Sequence, residues 1–167
     1  MWQIETLAKK HDRSPFGCGE DDLDTWLKTQ ASQSGRSNNT LTRVLVDGDD
    51  PRVLGYYSQS SYRLVGDELG AVFGDGRRPR YPIPCVLLAR LARCNSVAGR
   101  GAGEVLLGHA LRACTRVSRE IGIEMVVVHA LHERAALFYE RFGFVRFVDD
   151  DLSLMLPTKT LQDAFSD

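Results

Sequence analysis

PCVLLARLARCNSVAGRGAGEVLLGHAL (84–111) decides the fold. Its first part, 85–92, is apolar except for Arg90, which suits a central strand buried on both faces. A short turn follows, then a loop holding Gly99, Gly101 and Gly103. After it Leu106, Leu107, Ala110, Leu111, Cys114, Val117 and Ile121 recur at helical spacing and predict a helix over 104–120, ended by Gly122. His109 reads as a surface residue of that helix. A strand feeding a glycine loop that opens a helix is a ready anion site, because the first-turn N–H groups have no helical partner and the dipole adds positive charge. Glycines also let the backbone come close to a phosphate and take positive φ. The expectation is a pyrophosphate-bearing ligand on 99–104.

Spacing separates the phosphate ligands such a loop can take. A P-loop ends in Gly-Lys-Ser/Thr, and Gly101-Ala102-Gly103-Glu104 has no lysine for a terminal phosphate. A dinucleotide fingerprint reads G-x-G-x-x-G with an acidic residue about 20 positions on; here the loop reads G-x-G-x-G and no such residue ends a clear second strand. A glycine turn without any ligand is the plain alternative. Ala98-Gly99-Arg100-Gly101-Ala102-Gly103 resembles the acetyl-coenzyme A loop of the GNAT N-acetyltransferases, Gln/Arg-x-x-Gly-x-Gly/Ala, and departs from it at Ala98. Downstream, AALFYERFGF (135–144) resembles the A-x-x-F/L-Y-E-x-x-G-F segment that closes that fold. Within the superfamily, LLARLA (87–92), FGCG (16–19) with Leu23, Trp26 and Leu27, and GYYS (55–58) resemble the TacT/AtaT-like acetyltransferase toxins of bacterial toxin–antitoxin pairs. The resemblance spans about 16–156.

Working outward, 167 residues suit one domain, 1–167, with a real core. The 43% apolar and 26% charged residues exclude a disordered chain. No apolar run approaches the ~20 residues that span a bilayer, and MWQIETLAKKHDR lacks the apolar centre of a signal peptide, so a cytoplasmic location is expected. Cys18, Cys85, Cys94 and Cys114 lack C-x-x-C spacing and read as buried reduced thiols, with neither metal nor disulfide. The net charge of −1 is not that of a basic nucleic-acid binder. Positive charge nevertheless gathers at Lys9, Lys10 and Arg13 and at Arg77, Arg78 and Arg80, while Glu20, Asp21, Asp22 and Asp24 gather the opposite sign; solvated surface is the plain reading of each.

Along the chain, the pattern predicts a helix over 21–32, a polar loop over 35–39, and strands over 41–46 and 53–61 around a turn at 47–51. Residues 66–82, rich in Gly, Arg and Pro, read as a loop rimming the substrate. A buried strand over 125–130, a short helix over 133–141 capped by Gly143, and an antiparallel pair over 144–148 and 152–156 complete the order. His129 and His132 bracket the strand end without a carboxylate or thiol at metal spacing.

The resemblance implies an α/β (α+β) GNAT acyl-CoA N-acyltransferase fold, a mixed central sheet with splayed parallel strands flanked by helices. Acetyl-CoA would lie with its pantetheine in the splay, against the backbone of Leu91, Ala92 and Arg93. Its pyrophosphate would lie on Ala98, Gly99, Arg100, Gly101, Ala102, Gly103 and Glu104, and Phe138 would also touch it. His132 stands where many members place an Asn that contacts the cofactor. Tyr139 falls at the family's general acid. A phenol with pKa ≈ 10 is protonated at neutral pH and can hand its proton to a departing thiolate whose thiol is near 8.5. The competing view of Tyr139 is a core aromatic beside Phe138 and Phe142.

Glu68, Asp67 and Glu133 qualify as general base only by being acidic and near loops. A base-poor site leans towards an α-amine near pKa 7.7–8 rather than a lysine near 10.4. The toxin branch acetylates the α-amine of aminoacyl-tRNA and so blocks translation. Lys9, Lys10, Arg77, Arg78 and Arg80 would then meet tRNA phosphates. The branch further implies a ribbon-helix-helix antitoxin and a homodimer. Two alternatives stay open: a GNAT enzyme for a small amine or a protein N-terminus, and a cofactor-binding regulator without catalysis.

Overall fold

In the computed structural model, residues 1–73 and 82–165 are described. The strands are β1 (Trp2–Thr6), β2 (Leu41–Asp47), β3 (Asp50–Leu64), β4 (Ile83–Arg93), β5 (Met125–His129), β6 (Val145–Arg146) and β7 (Ser153–Pro157). They form one sheet in the order β1-β2-β3-β4-β5-β7-β6. The β4–β5 pair is parallel, whereas β1–β2, β2–β3, β5–β7 and β6–β7 are antiparallel, which is the mixed sheet expected. The parallel ladder runs from Cys85↔Met125 to Leu88↔Val128, while β4 continues to Arg93. The helices are α1 (Asp21–Thr29), α2 (Ala31–Arg36), α3 (Asp67–Phe73), α4 (Ala102–Glu120), α5 (Glu133–Glu140) and α6 (Thr158–Ala164), with a 3-10 turn at Asn95–Val97. Among the described residues no helix is long and apolar enough to cross a membrane.

The chain divides into two units, Met1–Ser60 with Ala89–Leu111 and Ser61–Leu88 with Arg112–Asp167. In the first, β2 and β3 meet through a two-residue turn: Asp47 pairs with Asp50 around Gly48, whose φ of 56° matches the twist of a tight hairpin. The turn is therefore shorter than the 47–51 expected, and Pro51 already lies in β3. The helix expected over 21–32 is two helices broken at Gln30. Three side-chain bonds flank the break: Thr29 Oγ1 donates to the Thr25 carbonyl (2.7 Å), and the Arg13 guanidinium donates to the Leu27 carbonyl and to Ser32 Oγ (both 3.0 Å). Arg13 thus belongs to the scaffold rather than to a free basic patch.

Tyr56 is fully buried, edge-on to Phe16 and stacked on Trp26, and its hydroxyl donates to the Leu23 carbonyl (2.7 Å). Gly55 faces α4, where an added Cβ would stand 2.8 Å from Leu106 Cδ1 and 3.2 Å from the Ala92 carbonyl oxygen. His109 is not a plain surface residue: it is half-buried, with Nδ1 2.7 Å from the Tyr57 hydroxyl.

In the second unit, Leu64, Leu69, Val72, Ile83, Cys85, Met125, Val127 and Phe147 form a core. Leu69 and Val72 belong to α3, a helix inside the segment expected to be loop; burying them outweighs its weak local signal. Residues 74–81 lie outside the described residues. Val117 and Ile121, expected on the buried stripe of α4, are exposed, because burial ends with Ala113, Cys114 and Thr115. β6 is two residues long where five were expected. β1 and α6 had no counterpart in the sequence reading.

Candidate active site

The glycine loop lies where β4 hands over to α4. Gly99 and Gly101 have φ of 74° and 81°, left-handed values that an L side chain resists. Val105 N–H donates to the Gly101 carbonyl (3.1 Å), so the N–H groups of Ala102, Gly103 and Glu104 precede the helical ladder, the place where a helix end takes an anion. The helix starts at Ala102, two residues earlier than expected, and Gly103 belongs to its first turn rather than to the loop. Two features oppose an anion. Glu104 brings a carboxylate to that turn, with Oε2 3.7 Å from the Cβ position of Gly101. Arg100, expected to reach a phosphate, lies over the Trp2 ring, 5.0 Å from its centre.

Leu91, Ala92 and Arg93 occupy the part of β4 beyond its ladder with β5. Arg90, noted in the sequence only as a break in an apolar run, has its guanidinium 3.9 Å over Trp26, which is stacked at 12° on Tyr56. Burial pulls its pKa down. A lone cation inside an apolar strand was the available signal.

Tyr139 sits in the last turn of α5 and is buried. Phe138 and Phe144 hold its ring edge-on, with centroids 5.4 and 5.5 Å away. Its hydroxyl has no hydrogen-bond partner among the described residues. Burial pushes the phenol well above its ordinary range, so the proton stays on oxygen at neutral pH. Phe138 also packs on Phe142 at 5.2 Å. His132 is the N-cap of α5, its Nδ1 accepting from the Ala135 N–H (3.2 Å).

The acidic candidates for a base are already engaged. Glu133 binds Arg146 (2.7 and 2.9 Å), which also holds Glu140 (2.8 Å), and Glu68 accepts the Tyr62 hydroxyl. The Asp67 side chain lies outside what is described. A cluster the sequence reading passed over stands at the end of β5. Ser153 Oγ donates to Asp150 Oδ2 (2.7 Å), His129 Nδ1 lies 2.8 Å from Ser153 Oγ, and the His129 ring is edge-on to Tyr62. Ser153 and Asp150 are neighbours in sequence, but His129 is far from both, and only the β5–β7 register, His129↔Ser153, brings it to them.

Lys9 and Lys10 are exposed, and Lys10 pairs with Glu5 at 3.1 Å. Arg77, Arg78 and Arg80 lie outside the described residues. Among the described residues no group of three His, Cys, Asp or Glu could hold a metal ion. The four cysteines are free; Cys18 is half-buried and the others are buried.

No protein-family model matches the chain. Individual proteins do. A "tRNA-acetylating toxin" of Mycobacterium tuberculosis is 34% identical over 162 residues, covering 96% of this chain and 95% of the relative. The toxin AtaT, solved with acetyl-methionyl-tRNAfMet, superposes with a TM-score of 0.88 at 29% identity, covering 99% of this chain and 100% of that one. A tyrosine-to-phenylalanine variant of AtaT, solved with acetyl-CoA and the C-terminus of its antitoxin AtaR, gives 0.83 at 29% identity, with 99% of each chain covered. Likeness of this extent, on a sheet with this glycine loop and this buried tyrosine, shows that the chain belongs to the tRNA-acetylating toxins, N-acetyltransferases of the GNAT fold.

Proposed function

We propose that this chain transfers the acetyl group of acetyl-CoA to the α-amine of an aminoacyl-tRNA and so blocks translation. The observation that carries this reading is the near full-length likeness to a tRNA-acetylating toxin. The loop supplies the chemistry for the co-substrate: two glycines in left-handed conformation and three unladdered N–H groups suit a pyrophosphate. Arg100 would add a charge-assisted contact by leaving Trp2. The backbone of Leu91, Ala92 and Arg93 would take the pantetheine, and an N–H there would polarise the thioester carbonyl.

Attack by a neutral amine on that carbonyl makes the N–C bond and breaks the C–S bond. Tyr139 would give its proton to the leaving sulfur, a role that suits a buried phenol whose hydroxyl has no hydrogen-bond partner among the described residues. Lys9 and Lys10 are the described cations that would meet tRNA phosphates. The reading carries with it a cytoplasmic site of action, a ribbon-helix-helix antitoxin as silencing partner, and a homodimer.

Cell-free translation tests it. The protein should stop synthesis only when acetyl-CoA is present, and Tyr139→Phe should relieve the block. Equal inhibition without acetyl-CoA would overturn the reading.

A further inference from the structure

The cluster at the end of β5 has the polarity of a proton acceptor. The bond donated by Ser153, helped by the Leu152 N–H and outweighing burial, keeps Asp150 below the usual carboxylate range, so it is ionised at neutral pH and can only accept. Ser153 has one hydroxyl proton, and it points to Asp150 (2.7 Å). Ser153 Oγ must therefore accept from the His129 Nδ1–H, 2.8 Å away. This places the proton of neutral His129 on Nδ1 and leaves the Nε2 lone pair for an external donor. The ring is fixed on a second side by Tyr62, whose own hydroxyl is committed to Glu68. His129 is also exposed, unlike the four preceding residues of β5.

Resting on the acetyl-transfer reading above, we propose that His129 is its general base, with Ser153 and Asp150 as positioning residues. Nε2 takes the proton that the amine nitrogen sheds as its bond to the acetyl carbon forms. The sulfur leaves with the pair of the broken C–S bond and takes the Tyr139 proton; the imidazolium then gives its proton to water, and the Tyr139 phenolate takes one back from water. No oxidant or further reactant is needed. A base of this kind suits an amine of the α-amino class better than a lysine.

The test is the pH dependence of acetyl transfer from acetyl-CoA to a charged tRNA, in the full chain. The groups behind the imidazole among the described residues are Asp150, through Ser153, and Glu68, beyond Tyr62. His129→Gln should lower kcat about 10²-fold and remove the protein's share of the acid limb, with KM for acetyl-CoA unchanged. Asp150→Asn removes the negative charge that favours the imidazolium, so the acid limb should move to lower pH with the same acceptor; a packing role alone would lower activity without moving it. Wild-type kcat and an unmoved limb in both variants would overturn the proposal. If His129→Gln fails to fold, the direction of the Asp150→Asn limb decides. No transfer by the wild-type chain would instead overturn the underlying acetyl-transfer reading.

Discussion

At the scale of single residues, the proposed chemistry falls to the loop and Tyr139, and each exposes itself to a simple change. Tyr139→Phe removes one oxygen from a ring already fixed by Phe138 and Phe144. Thermal stability and acetyl-CoA binding should hold, while turnover falls about 10²-fold or more; unaltered turnover would make Tyr139 a core residue. Glu104 is the opposite case, a carboxylate at the helix start where an anion is to bind. Its charge is favourable to the empty helix end and competes with a pyrophosphate for the same N–H groups. Glu104→Gln should tighten acetyl-CoA binding by about two- to fivefold, matching the ~0.3–1 kcal/mol of a charge at a helix end, and calorimetry reads this directly.

At the scale of elements, β3 against α4 and α5 against the β6–β7 hairpin hold the groups in place. Gly55→Ala pushes a methyl into Leu106, fully buried, and the Ala92 carbonyl, neither of which can retreat freely. The cost should be about 1–3 kcal/mol, read in denaturant unfolding. Arg146 clamps Glu133 and Glu140, one at each end of α5. Arg146 holds the Glu133 carboxyl below its ordinary value. The stabilisation is therefore present above the ordinary glutamate range and is lost as pH falls through the lowered value. Amide exchange in α5 should speed up on acidification relative to an Arg146→Met variant, in which that pH dependence is absent.

These elements also show what a sequence can yield. β4, α4 and β5 were legible because apolar runs and helical spacing are local and strong, and the positive φ of Gly99 and Gly101 follows from residue type. α3 was not, since its helical state depends on Leu69 and Val72 reaching a core built from distant strands. The break at Gln30 depends on Arg13 crossing to Leu27 and Ser32. The contact of His129 with Ser153 was invisible for the same reason: it exists only through the register of β5 and β7.

At the scale of the whole molecule, a net charge of −1 looks unfavourable for a tRNA ligand. The likeness to toxins that include AtaT, solved with acetyl-methionyl-tRNAfMet, nevertheless spans the chain from end to end. With a slightly negative net charge, binding should rest on few phosphate contacts. The rise of log Kd with log salt should then be shallow, with a slope of about +0.7 to +0.9 for each of a few phosphates neutralised, and filter binding across a salt series measures it. A slope equivalent to ten contacts would contradict this. The central claim is tested most directly by incubating the protein with labelled acetyl-CoA and bulk tRNA, charged or deacylated. The account predicts label on charged tRNA alone, released with the aminoacyl group on ester hydrolysis. Label on deacylated tRNA, or none on charged tRNA while a small amine is acetylated, would contradict it.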